Sequence, residues 1–170
     1  MKVAVIGYSA SGKSTITKKL GEYYGAQTLH MDSIYWLEGW KERPEEQVAL
    51  LTEEFLDSHN SWVIDGNYSS ACFDRRLEEA DIIIMLLFSR FTCLKRAFAR
   101  YRRYKNTTRP DMGEGCNEKL DLDFIFWILF GGRTKRKRKG FARIASVYAQ
   151  KTLVFKNPKQ LEEWSESLRI

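Results

Sequence analysis

Nine consecutive residues, Gly7-Tyr8-Ser9-Ala10-Ser11-Gly12-Lys13-Ser14-Thr15, carry the most specific chemical signal in the chain. They fit G-x-x-x-x-G-K-[ST], a loop whose backbone N–H groups close around a polyphosphate. Gly7 and Gly12 permit backbone angles closed to other residues, so the amides of Ser9, Ala10, Ser11 and Thr15 can turn inward. A helix starting near Lys13 adds its unpaired N–H groups and the positive end of its dipole. Lys13 reaches toward the β- and γ-phosphates, and the Ser14 hydroxyl is placed to ligate Mg²⁺. The expected ligands are a nucleoside triphosphate, read as ATP, and Mg²⁺.

Two aspartates join this loop in the reading. Asp65 follows the β-prone run Trp62 to Ile64 and precedes Gly66. An acid at the end of a strand downstream of the loop suits the role of orienting Mg²⁺ or its waters. Asp32 ends a second β-prone run, Ala26 to Met31, and is the candidate to hold or deprotonate an acceptor hydroxyl. Arginines recur at 96, 100 and 103, and Arg100 or Arg103 would neutralise the phosphoryl group in transit. Tyr35 and Trp36 form a prospective wall for the acceptor, and Arg75 or Arg76 could grip it.

These residues need elements to position them. Val3 to Ile6 is a short β-prone run before the loop, and Ile16 and Leu20 mark one face of a helix ending at Tyr24, with Gly25 as its cap. A strand–helix–strand unit of this length implies parallel strands and a right-handed crossover, which puts Asp32 on the same sheet edge as the loop. Pro44 opens a helix with Val48, Leu51, Phe55 and Leu56 on its apolar face. Ile82 to Phe88 reads as a strand buried on both faces. Ser89 caps a helix whose stripe Phe91, Leu94, Phe98 and Tyr101 should face the core, with the arginines opposite. Asn106 to Lys119 reads as a lid loop, and Leu120 to Phe130 as a buried or partner-facing helix. The last elements are a helix around Phe141 to Ala149, a strand at Thr152 to Phe155, and a final helix opened by Pro158. Lys156-Asn157-Pro158 would border the base.

The chain of 170 residues suits one domain, with an acceptor-side insert about 33–60 and a lid-like segment about 105–140. Its net charge of +6 is local: the run Arg133 to Lys139 holds six cations, and the remaining 22 basic residues balance 22 acidic ones. Binding to nucleic acid is therefore open but not favoured, and the run is expected to be solvated or lid-associated. The longest apolar run, Phe124 to Phe130, is too short to span a bilayer. Met1 leads directly into the first strand, so no signal peptide is expected. Three cysteines without metal-site spacing point to reduced thiols and a cytoplasmic setting.

The motif order resembles the adenylate-kinase-like P-loop kinases. More closely, the loop, Asp32-Ser33-Ile34-Tyr35-Trp36, Gly39-Trp40-Lys41-Glu42-Arg43-Pro44, Asp65-Gly66-Asn67-Tyr68 and Thr108-Arg109-Pro110-Asp111-Met112-Gly113-Glu114-Gly115-Cys116 resemble bacterial DNA topology modulation proteins. The kinase resemblance implies an α/β three-layer fold with helices on both faces of a five-stranded parallel sheet, order 2-3-1-4-5. It implies an acceptor region after strand 2 and a lid after strand 4, with Arg109 and Asp111 among the substrate contacts. Asn67, Tyr68 and Ser69 stand where nucleoside monophosphate kinases carry an aromatic residue, a proline and a phosphate-gripping arginine. The combined expectation is an ATP- and Mg²⁺-dependent phosphotransferase acting on a small acceptor. Its rivals are a nucleic-acid-binding ATPase that affects DNA topology and a nucleotide-binding regulator without turnover.

Overall fold

The structure is a computed structural model that describes all 170 residues, Met1 to Ile170. Its centre is a parallel sheet of five strands: β1 (Lys2–Gly7), β2 (Gln27–His30), β5 (Trp62–Asp65), β6 (Ile82–Leu86) and β7 (Thr152–Phe155), in the order β2-β5-β1-β6-β7. Counting only these strands, the order is the expected 2-3-1-4-5. A short antiparallel hairpin, β3 (Trp36–Leu37) and β4 (Lys41–Glu42), stands apart from the sheet.

The side-chain alternation of β1 explains the layers. Val3 and Val5 face one side, with Ile16 and Leu20 of α1 (Lys13–Tyr24), Cys93 and Ala97 of α5 (Arg90–Tyr104) and Ile128 of α6 (Leu122–Leu129). Leu161 and Trp164 of α8 (Pro158–Leu168) complete that layer. Ala4 and Ile6 face the other side. There they meet Met31 of α2 (Met31–Tyr35), Val48 and Leu56 of α3 (Glu45–Ser58) and Leu77 of α4 (Phe73–Glu79). Phe141 and Ile144 of α7 (Lys135–Val147) pack on the same face. Both faces of the sheet are covered, which is why its strands read as continuous apolar runs.

Several local expectations are met. Gly25 ends α1 in the left-handed region; its amide donates to the Glu22 carbonyl and the next amide, Ala26, to that of Gly21. Ser89 accepts from the amide of Thr92 at the start of α5, and Pro158 stands at the start of α8 behind the cap Asn157.

Two expectations are corrected. Asp32 lies two residues beyond its strand, in the first turn of α2, because the chain enters that helix directly from His30. The stripe of α5 does not point inward: Phe91 is 74% exposed and Phe98 46%, while the smaller Cys93 and Ala97 meet the sheet. Helix α5 thereby turns Arg96 and Arg100 into half-buried positions. A third expectation is refined: the basic run, largely exposed, forms the first turns of α7, capped by the Thr134 hydroxyl, which accepts from Lys137. Helix α6 buries only Ile128 fully and leaves Leu122, Phe126, Trp127 and Phe130 exposed. No helix is long and apolar enough to cross a membrane.

Candidate active site

The phosphate loop lies between β1 and α1, at the carboxyl edge of the sheet. At Gly7 φ is +139°, and a Cβ there would collide with the carbonyl of Leu86 in the neighbouring strand, so only glycine lets β1 turn away at this point. Gly12 (φ +101°) and Ala10 (φ +58°) continue the reversal. The Ser11 hydroxyl donates to the Tyr8 carbonyl at 2.7 Å, and Lys13 Nζ donates to the carbonyls of Tyr8 (3.2 Å) and Gly7 (3.4 Å). The lysine is thus folded across the loop with its ammonium at the loop's mouth. Ser14 and Thr15 follow on the first turn of α1, Ser14 half-buried and Thr15 exposed.

Asp65 ends β5 in register with Val5 of β1, next to the loop. It is almost fully buried, and His30 Nδ1 lies 2.6 Å from its Oδ2. Burial alone would lower the His30 pKa, but the bond to Asp65 and the charges of Asp65, Asp111 and Asp32 outweigh it and raise it. The chain then passes through Gly66 to Asn67, whose Oδ1 accepts from the Gly7 amide at 3.0 Å while its Nδ2 donates to the Gly7 carbonyl at 2.7 Å. This reciprocal pair ties the loop after Asp65 to the first residue of the phosphate loop.

Tyr68 comes next, and its hydroxyl donates to Asp32 Oδ1 at 2.6 Å. Burial, with Asp32 beside it, pushes the Tyr68 pKa up, so the phenol stays a donor. The rings of Tyr35 and Tyr68 lie 4.5 Å apart, and Trp36 meets Tyr35 edge-on at 4.9 Å. Tyr35 and Trp36 therefore stand where the sequence expects an aromatic wall, beside Asp32.

The arginines are placed less as expected. Arg75 pairs with Asp57 and Glu79, and Glu79 in turn pairs with Lys2 at the start of β1. That is the opposite edge of the sheet from the loop, so Arg75 cannot grip an acceptor there. Arg76 is buried beneath the Asp65–Tyr68 turn, where it donates to the carbonyls of Gly66 and Tyr68; burial lowers its pKa to about 10. Arg103 is exposed and lies against Tyr104, and Arg100 is spent on Glu118 at 2.8 Å. Arg109 bridges Asp111 (2.7 Å) and Glu118 (2.6 Å).

Two other arginines reach the loop. Arg96 closes on Gly12, where a Cβ would sit 2.5 Å from its guanidinium. Arg133 lies 3.8 Å over the Tyr8 ring, anchored by Nε on the Ile128 carbonyl and by its outer nitrogen 3.2 Å from Cys93 Sγ. Trp127 Nε1 donates to Ser9 Oγ at 3.0 Å, so α6 also touches the loop. Arg133 is the member of the basic run that reaches the loop, while Lys137 lies over the Trp127 ring at 3.5 Å and the other four are exposed. Sequence periodicity could not flag these contacts, since α6 and residue 9 are 118 positions apart.

Asn106 to Lys119, read from the sequence as a lid loop, packs against the hairpin. The Cys116 thiol reaches the Leu37 carbonyl, Trp40 Nε1 donates to Asn117 O at 2.9 Å, and Gly113 passes so close to the Trp36 carbonyl that a Cβ would collide with it. Between this loop and the hairpin is a cavity of about 490 Å³ that includes Ser33, Trp36, Glu38, Arg43 and Glu114. A second cavity, about 370 Å³, opens beside Gly12 and Thr15 and is bordered by Phe88, Arg96, Pro158 and Leu161.

For Mg²⁺, the available donors are the Ser14 hydroxyl and the Asp65 carboxylate, both oxygens, on adjacent elements. No group of three or more His, Cys, Asp or Glu forms a cage elsewhere. Such a pair fits a small hard cation that takes its other ligands from phosphate and water.

No family model and no curated protein matches the chain. Solved structures do. Deoxyadenosine kinase from M. mycoides with bound dATP superposes with a TM-score of 0.54 at 16% identity, covering 100% of both chains. The same enzyme with dCMP and dCDP gives 0.50 at 15%, covering 99% of this chain and 98% of that one. Shikimate kinase from Bacteroides thetaiotaomicron gives 0.53 at 18%, covering 100% and 99%. The fold is that of the P-loop kinases.

Proposed function

We propose that this protein is an ATP- and Mg²⁺-dependent phosphotransferase acting on a small acceptor. One observation carries the reading: Asp32, fixed by Tyr68, shares the carboxyl edge of the sheet with Asp65 and the phosphate loop. Ligands bind at that edge in open parallel sheets.

In this reading the loop amides of Gly7 to Thr15 and Lys13 hold the phosphates, and the base lies in the cavity by Arg96 and Pro158. Ser14 and Asp65 would hold Mg²⁺, which when bound offsets charge on the phosphate oxygens. Asp32 orients the acceptor hydroxyl and takes its proton. Arg133 and Arg96 replace Arg100 and Arg103 as the groups that offset charge on the moving phosphoryl, because they are the arginines at the loop. Tyr35 and Trp36 flank the acceptor, while Arg109 and Asp111 hold the docked loop over it. Phosphoryl transfer asks mainly for such positioning and charge stabilisation. We further read residues 1–170 as one domain with the acceptor-side insert at about 33–60 and the lid segment at about 105–140. Its motifs keep it close to the DNA topology modulation proteins, and three free thiols suit a cytoplasmic setting.

A test is to supply MgATP with a panel of nucleosides, nucleotides and small alcohols and to follow ADP and phosphorylated product by mass spectrometry. Acceptor-dependent ADP formation, abolished by Asp32→Asn, is the expected result. ATP consumption that requires DNA and no small acceptor would replace this reading with the nucleic-acid ATPase.

A further inference from the structure

Phosphoryl acceptors either carry a phosphate already or do not, and the two kinds need opposite electrostatics. A phosphate dianion is held by guanidinium or ammonium groups free to form charge-assisted bonds. On the acceptor side of this protein most of the arginines are engaged. Arg76 is buried and directed onto the carbonyls of Gly66 and Tyr68. Arg109 lies between Asp111 and Glu118, and Arg100 on Glu118. Arg75 faces the far edge of the sheet. Arg43 is the one cation that lines the acceptor-side cavity, with its Nε on the Ile34 carbonyl, and two carboxylates, Glu38 and Glu114, line it with Arg43. Asp32 adds a third at the adjoining α2. This surround repels a dianion.

The same walls suit a flat ring and a hydroxyl. Trp36 lines the cavity, and the Tyr35–Tyr68 pair stands beside Asp32. Aromatic faces stack on planar rings, and carboxylates accept from ring N–H and amino groups. Tyr68 occupies Asp32 Oδ1 only, which leaves Oδ2 for the acceptor.

Resting on the phosphotransferase reading, we propose that the acceptor is an unphosphorylated, ring-bearing alcohol of the nucleoside class, and not a nucleoside monophosphate. The acceptor hydroxyl oxygen attacks the γ-phosphorus, and its proton passes to Asp32 Oδ2. The bond from the γ-phosphorus to the β–γ bridging oxygen breaks, and its electron pair leaves on ADP. The products are ADP and the phosphate monoester. Tyr68 is a positioning residue in this step, since it acts through Asp32.

The experiment measures kcat/KM with MgATP for ribo- and deoxyribonucleosides and for their matching 5′-monophosphates, with calorimetric titration of ATP in parallel. Repulsion between like charges predicts nucleoside use exceeding monophosphate use by at least about tenfold. The double variant E38Q/E114Q should narrow that gap by improving monophosphate use. Equal or better turnover of a monophosphate would overturn the proposal while leaving phosphotransfer intact. So would the absence of any nucleoside product from protein that binds ATP. Failure to bind ATP, or ATP binding indifferent to Lys13→Ala, would count instead against the phosphotransferase reading itself.

Discussion

Within the phosphate loop, Ser11 and Lys13 bond to Tyr8 and Gly7, partners three to six residues away. Across the cleft, Asp32 meets Tyr68 after 36 residues, and Cys116 meets Leu37 across 79. The donor side is thus a local device, shaped by two glycines and a helix start. The acceptor side exists only when α2, the Asp65–Tyr68 turn, the hairpin and the docked loop have all assembled. A local device tolerates change elsewhere in the fold, whereas an assembled one couples substrate recognition to packing. Asn67 joins the two by holding both the amide and the carbonyl of Gly7.

That contrast can be broken by separating chemistry from stability. Asp32→Asn should lower the rate of transfer by about 10²–10⁴, the usual contribution of a positioned base, with ATP affinity preserved. Transfer at the parental rate would remove Asp32 from the mechanism. Lys13→Ala should lower turnover by about 10²–10³ through loss of one preorganised cation, with an unchanged melting temperature. Wild-type kinetics in that folded variant would end the donor-side assignment.

The assembled side should respond differently. Glu118→Gln removes the one charge that Arg100 and Arg109 share in a buried setting. Breaking such a network commonly costs about 3–5 kcal/mol, so denaturant unfolding should show a large loss of stability. The parental unfolding midpoint would mean that the loop is not held by this network. Tyr68→Phe deletes only the bond to Asp32, and a loss of about 1–3 kcal/mol is expected if the buried acceptor is left without its donor. Its diagnostic signature is a fall in kcat with ATP affinity untouched, which a packing defect alone would not give.

The smallest effect is expected at the start of α7. Replacing Lys135, Arg136, Lys137 and Arg138 together by Gln should leave ATP affinity and turnover nearly unchanged, while weakening any salt-sensitive DNA binding. Arg133 is left out of that set because it lies over Tyr8. Arg133→Ala, by contrast, should lower turnover, and equal behaviour of the two variants would show that its contact with the loop has no part in transfer.

The sequence alone was enough for the loop and for the strand end that carries Asp65, which rest on short-range rules: glycine angles, a helix start, apolar runs bounded by turns. The order of the strands followed only from the resemblance to the P-loop kinases. The sequence also placed Asp32, Tyr35 and Trp36 together, because they are neighbours in the chain just beyond a strand on the right edge. It did not decide which arginines face the loop. Helix periodicity gave α5 an apolar stripe, but the tight approach of that helix to the sheet selects the small residues Cys93 and Ala97 for the core. The large aromatics are turned outward and Arg96 toward Gly12 as a consequence. Nor could it show that Asn67 and Tyr68, where a phosphate-gripping pattern is missing, bond to Gly7 and Asp32. Those partners lie 60 and 36 positions away, and only the parallel pairing of β1, β2 and β5 brings them within reach.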